Sequence, residues 1–192
     1  MPGSNTAPNA EEIAASACAE KDAAISAAEL VRYREAVETL FAIQSDRAIS
    51  NGMPAHASIL FESFFKHAKD HVRIFCEKLR AEVFDNECLV REAKWALARN
   101  VRVTVMTQQA PEPSPFLDLL NENNCENRCL LRATGDMATY KTNFTVMDSE
   151  AVRIEPDNGD VKAIAIMHAP EYASQWVRFF DRNAMAIIKQ VK

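Results

Sequence analysis

The sequence predicts an α/β domain, a layered mixed β-sheet flanked by helices with an N-terminal helical extension, and three observations carry that reading. His71-Val72-Arg73-Ile74-Phe75-Cys76 and Val101-Arg102-Val103-Thr104-Val105-Met106 are β-branched, alternating runs separated by a helical pattern that ends one residue before Val101. So short a return makes the two strands parallel and the crossover right-handed. Lys141 to Asp148 alternates again, with Phe144 and Val146 on one face and Lys141, Asn143, Thr145 and Met147 on the other. This octet is expected to pair with Ala151 to Ile154, across a turn at Ser149 and Glu150, as an antiparallel hairpin with a polar edge. Val161 to Met167 is nearly continuous apolar, the pattern of a strand covered on both faces.

Taken in order, residues 1–28 form a flexible, alanine-rich arm, small and polar at first and then of high helix propensity with little bulk to bury. Residues 29–192 form a single α/β domain with two lead-in helices. In the first of these, residues 29–48, Leu30, Tyr33, Val37, Leu40, Phe41 and Ala48 make one stripe, and Asn51-Gly52-Met53-Pro54 ends it. The second runs from about Ala57 to Asp70 and buries Leu60, Phe61, Phe64, Phe65 and Ala68.

After the first strand, Asp85 is the expected N-cap of a helix lined by Leu89, Ala93, Ala96 and Leu97, and Asn100 takes the left-handed C-terminal position. Gln108 to Pro115 is a loop, Phe116 to Asn121 a short helix and Arg128 to Arg132 a further strand. Pro156 to Asp160 makes a turn, and Pro170 opens a last helix whose Ala173, Trp176, Val177, Phe180, Ala184 and Ile187 repeat at helical spacing.

Composition narrows the function classes. A net charge of -5 disfavours a general duplex-DNA coat unless cations gather on one face. Lys66, Lys69, Arg73, Arg91, Lys94, Arg99 and Arg102 would have to converge for nucleic-acid binding. Five cysteines, an odd number with Cys76 and Cys88 in apolar segments, fit a reducing, cytoplasmic setting. Cys125 and Cys129 lack a second ligand pair nearby, so no metal is expected. No apolar run approaches the ~18 residues of a membrane span, and only four glycines leave no glycine-rich phosphate loop. No cofactor is implied.

A lead-in helix ending Phe64-Phe65-Lys66-His67-Ala68-Lys69, a strand at Val72, a helix stopping before Val101 and a later strand closing on Asp148 together resemble the phospholipase D-like, or HKD, superfamily. The resemblance spans roughly residues 58–188. It implies a strand carrying His, any residue, Lys, four residues and Asp, in which His attacks phosphorus, Lys binds phosphate oxygens and two copies build one site. Here those positions fall on Lys141, Asn143 and Asp148, and only Asp148 matches. The stretch after the motif, Glu155-Pro156-Asp157-Asn158, is acidic.

An ammonium near neutral pH is no nucleophile unless burial strips its proton, and a carboxamide brings no charge to a phosphate. The catalysis that the resemblance implies is therefore expected to be absent, leaving a non-catalytic binding or regulatory module that works through homodimerisation and a protein partner. A divergent phosphodiesterase or nuclease, or a nucleic-acid-binding protein, is the alternative. The expected ligand-binding residues are Lys141, Asn143 and Asp148, with His168 after the last strand and Glu77 and Arg80 after the first.

Overall fold

The computed structural model describes residues 27–122, 127–156 and 163–191. Residues 1–26 of the arm, Cys18, Cys125, most of the turn after Pro156 and the start of the Val161 strand lie outside the described residues. Helix α1 occupies residues 27–42. Gln44, at φ 48, turns the chain into the left-handed region, and Ser45 N–H closes onto the Leu40 carbonyl at 2.9 Å. The predicted helix therefore ends six residues early. Ala48–Asn51 is instead a short edge strand, β1, which the helical stripe had absorbed. Four residues are too few to show a strand period, and the pairing with a distant strand decides the conformation.

Helix α2 spans Pro54–His67, with Pro54 in the first turn where a missing N–H costs nothing. It starts three residues before the expected Ala57 and stops short of Asp70. Its last carbonyls are taken by the Arg99 guanidinium, which reaches the Phe65 oxygen at 2.9 Å. Strand β2, His71–Cys76, follows, then a single turn α3, Ala81–Phe84, and helix α4, Glu87–Ala98. The α4 cap is Asn86, whose Oδ1 accepts Leu89 N–H at 3.1 Å, and not Asp85, which terminates α3. Asn100 is left-handed at φ 65, as its place before Val101 predicts.

Strand β3 is Arg102–Thr107, helix α5 Pro115–Asn121 and strand β4 Arg128–Arg132. A 3₁₀ turn at Gly135–Thr139 leads to β5, Asn143–Met147, β6, Ala151–Glu155, and β7, Ala163–Ile166. Helix α6, Pro170–Val191, completes the chain. The seven strands run in the order β1-β7-β6-β5-β2-β3-β4. β2, β3 and β4 are mutually parallel, and every other neighbouring pair is antiparallel.

One sheet face is covered by α1, α2, α4 and α5, where Val37, Leu60, Phe64 and Phe65 meet Val72, Ile74, Val103 and Met147. The other packs on α6, where Ala173, Phe180, Ala184 and Ile187 meet Phe75, Phe144, Val146 and Val152. The β5–β6 hairpin forms as predicted, but β5 sits mid-sheet, so its supposed polar face is closed: Thr145 is 1% and Met147 3% exposed. Lys141 precedes the strand and is exposed. β7 departs from expectation in the opposite sense. Among the described residues α6 packs mainly on β6, β5, β2 and β4, so β7 is covered only in part on that side: Ile166 reaches the α6 core while Ile164 is 43% exposed.

Asp148, at φ 54, ends β5, and its carboxylate accepts the backbone N–H groups of Lys69, Asp70 and His71 at 2.8–3.0 Å. Arg73 anchors α6 to β2 by a two-point contact with Asp181, Nε at 2.7 Å and Nη2 at 3.0 Å. His71, buried on the same face, bonds Thr104 Oγ1 through Nε2 at 2.9 Å.

Replacing Asp148 by Ala orphans three N–H groups and should cost about 2–3 kcal/mol in urea denaturation. Burial, with the Arg73 and Arg102 charges adding to it against Asp181 and Asp70, lowers the His71 pKa to about 4. The unfolded chain then binds a proton that the fold refuses, so stability holds above the ordinary value of 6.5 and falls as pH drops toward 4. Denaturation series should show a loss of up to about 3 kcal/mol over that window, absent in His71→Gln.

Candidate functional site

Two rows of side chains on the α2 side of the sheet make the floor of a cleft. Ile74 pairs with Thr145, Thr145 with Arg153, Arg153 with Ala165 and Ala165 with Ile49. One step along the strands, Asn143 lies opposite Glu155 and Asn51 opposite Ala163. Because strand side chains alternate, these belong to one surface, and Ala163 and Ala165 leave room between Arg153 and Asn51. Met53, Pro54, Phe61, Val83 and Phe84 form one wall, and Cys76, Glu77, Lys78, Arg80 and Glu82 the rim.

The cleft holds about 80 Å³. Pockets for drug-sized ligands begin at roughly 300 Å³, so this one suits a group the size of a carboxylate or a phosphoryl.

Its polar groups are specific. Asn143 Oδ1 accepts Glu77 N–H at 2.8 Å. Arg153, 6% exposed, extends over the Phe61 ring at 5.5 Å, and its Nη2 meets Glu155 Oε2 at 2.8 Å. Arg153 Nε and Asn51 Oδ1 are buried with no hydrogen-bond partner among the described residues. One is a donor and the other an acceptor, which is an uncommon remainder in a protein interior. Burial pushes the Cys76 thiol up to about 12 despite the nearby Arg153 charge, so the one thiol on the cleft wall stays protonated.

Of the residues read from sequence, Asn143, Glu77 and Arg80 come together here. Lys141, Asp148 and His168 do not line the cleft. Asp148 lies five residues along β5 from Asn143, about 16 Å at the rise of an extended chain. His168 follows the last strand, as the sequence reads, but that end is not the cleft end. In the structure β7 is antiparallel to β6, β6 to β5 and β5 to β2, so the end of β7 points to the pole opposite the cleft. There His168 N–H bonds the Ser45 carbonyl at 3.0 Å.

The segment after β2 divides as well: Glu77 to Arg80 is loop, and α3 begins at Ala81. Arg153, Asn51 and Glu155 went unassigned. A lone arginine inside Ala-Val-Arg-Ile was the legible signal for the first, whereas Asn51 could be placed only once β1 was known.

The seven cations considered for nucleic acid do not share one face: Arg99 and Arg102 lie beside Lys66 and Lys69 at the α2–β2 link, Arg91 and Lys94 are together on α4, and Arg73 is apart from both. Arg73 is on the α6 face with Asp181, Arg99 caps α2, Arg102 pairs with Asp70 and Lys66 with Glu38. Arg91 stacks over the exposed Trp95 of α4 at 5.7 Å. Among the described residues no group of three or more His, Cys, Asp and Glu could hold a metal ion, and no helix is long and apolar enough to cross a membrane.

No protein-family model and no curated protein matches the chain. Solved structures do. NucT from Helicobacter pylori aligns over 72% of this chain and 96% of its own, with a TM-score of 0.50 at 10% identity. TrmBL2, an archaeal chromatin protein with a novel mode of DNA binding, aligns over 95% of this chain and 73% of its own, with a TM-score of 0.51 at 11% identity. Nuc from Salmonella typhimurium, described as a phospholipase D family member, covers 71% of this chain and 94% of its own at 14% identity and a TM-score of 0.47. The chain shares its fold with NucT and TrmBL2.

At such identities the likeness is one of fold alone. The three positions read from sequence part company: Asn143 enters the cleft, Lys141 lies outside it, and Asp148 caps the opposite end of β5. The raised Cys76 pKa can be tested by labelling native protein with a thiol reagent at pH 8 and mapping peptides by mass. Cys76 should react at least tenfold more slowly than Cys88, and the difference should vanish in urea.

Proposed function

We propose that this chain is a non-catalytic phospholipase D-like binding module that acts as a homodimer and engages a protein partner. The observation that supports it is the composition of the cleft: an amide, Asn143, tied to the Glu77 N–H, where catalysis in this fold would need a nucleophile and a phosphate clamp. No imidazole substitutes for it among the lining residues. His56 stacks on Tyr33 at 4.0 Å, His67 bonds Glu38, His71 faces α6 and His168 is at the far pole. The Cys76 thiol is held neutral. What remains can recognise a small polar group without breaking a bond to it.

Self-association finds support in apolar side chains left uncovered on a single chain, Ile164 on β7 and Met185 and Ile188 on α6. Light scattering at micromolar concentration should give twice the chain mass, and incubation with bis-p-nitrophenyl phosphate should give no turnover. A strict monomer, together with hydrolysis that Lys141→Ala abolishes, would refute the reading.

A further inference from the structure

Three arginine side chains of the sheet, Arg73, Arg128 and Arg153, are 8% exposed or less and differ in how their forks are used. Arg128, on β4 away from the cleft, reaches Glu122 through Nη1 at 3.3 Å and leaves Nε unmet. Arg73 spends both Nε and Nη2 on the oxygens of Asp181. Arg153, equally buried, makes one contact through Nη2 to Glu155 and leaves Nε without a hydrogen-bond partner. A guanidinium fork is matched by two oxygens of one anion, and a buried donor left unmet costs free energy. Glu155 sits two residues along the same strand and face, and it meets the fork with one oxygen only, at 2.8 Å.

We propose that Glu155 is a built-in stand-in for the ligand of the cleft, a monoanionic oxo-group such as a phosphodiester or a carboxylate, which displaces it and takes both Nε and Nη2 of Arg153. This rests on the reading of the cleft as a site that binds without cleaving. The charges fit that class. With Glu155 in place the pair is neutral, and with Glu155 displaced Arg153 offers a single positive charge.

Other features favour the exchange over a fixed ion pair. The Glu155 side chain is 25% exposed against 8% for Arg153, so the carboxylate can leave toward water while the guanidinium stays. Ala165, directly across from Arg153, leaves space for an entering group. The unpaired Asn51 Oδ1 lies on the same surface beside Ala163 and accepts from a hydroxyl or N–H borne by the ligand. Glu155 thereby sets the threshold for binding.

Heteronuclear NMR titration of the full chain with dimethyl phosphate, and separately with acetate, at constant ionic strength tests this. Glu155→Gln should bind at least one of the two anions at least tenfold more tightly than the unaltered chain, with shifts at Arg153 and Asn51, and the anion that gains more names the ligand chemistry. Arg153→Gln should lose the shifts. Should that variant fail to fold, Glu155→Gln, altering a partly exposed side chain, decides alone. Equal affinity of Glu155→Gln and the unaltered chain for both anions, including no binding by either, would overturn the proposal. The readout is binding, so its failure is distinct from a failure of the non-catalytic reading, which turnover reports.

Discussion

The structure depends on the seam between β2 and β5. On one side of it β2, β3 and β4 run parallel; on the other β5, β6, β7 and β1 alternate. Ladder hydrogen bonds alone would join the halves, but side chains stitch both ends. At one pole the Asp148 carboxylate collects three backbone N–H groups from the chain entering β2. At the other, Asn143 takes the N–H of Glu77 as the chain leaves β2. Between them Phe144 is fully buried against Trp176, Phe179 and Phe180, fixing which face of β5 belongs to α6. A one-residue slip would release both stitches and turn Phe144 toward α2, so the register is over-determined.

That arrangement changes how the motif positions are understood. Asp148 and Asn143 are both structural in their contacts, each satisfying backbone donors that would otherwise be left at a strand end. A carboxamide suits the second role because its oxygen accepts without bringing a charge that needs neutralising, and the nearby cation, Arg153, is already matched by Glu155. An ammonium at position 143 would have no acceptor to offer the Glu77 N–H. An amide at position 143 therefore gives the seam a hydrogen bond where an ammonium would give the cleft a charge.

The sheet and most helices were legible because their signals are long and periodic. The β2-α4-β3 crossover, the left-handed Asn100 and the Pro170 start all rest on local chemistry that tertiary context did not override. Misreadings cluster where context decides. β1 exists because β7 offers it an edge, and Ala48-Ile49-Ser50-Asn51 alone reads as the tail of a helix. The polar face of β5 is covered because of strand order, which no single segment encodes. His168 lies at the pole away from the cleft, and sequence could not tell this because a strand's direction in a mixed sheet is not a property of its own residues. Half of the candidate site was visible as Asn143, Glu77 and Arg80, and the other half, Arg153, Asn51 and Glu155, appears only when β1, β6 and β7 are laid side by side.

Charge settles how such a cleft can be reached. Its lining carries Lys78, Arg80 and Arg153 against Glu77, Glu82 and Glu155, with Lys78 further engaged by Glu112 at 2.8 Å and Arg80 near Glu82 at 3.7 Å. The protein as a whole is acidic at -5. No attractive field for an anion therefore extends into solvent beyond a Debye length of about 8 Å, and steering contributes little. Recognition has to come from short-range contacts made after entry, where the apolar wall of Phe61 and Phe84 lowers the local dielectric and strengthens each hydrogen bond. A polyanion drawn by its net charge is poorly served by this surface; a small group presented by a partner already docked elsewhere on the chain is well served, because docking supplies the local concentration that electrostatics withholds.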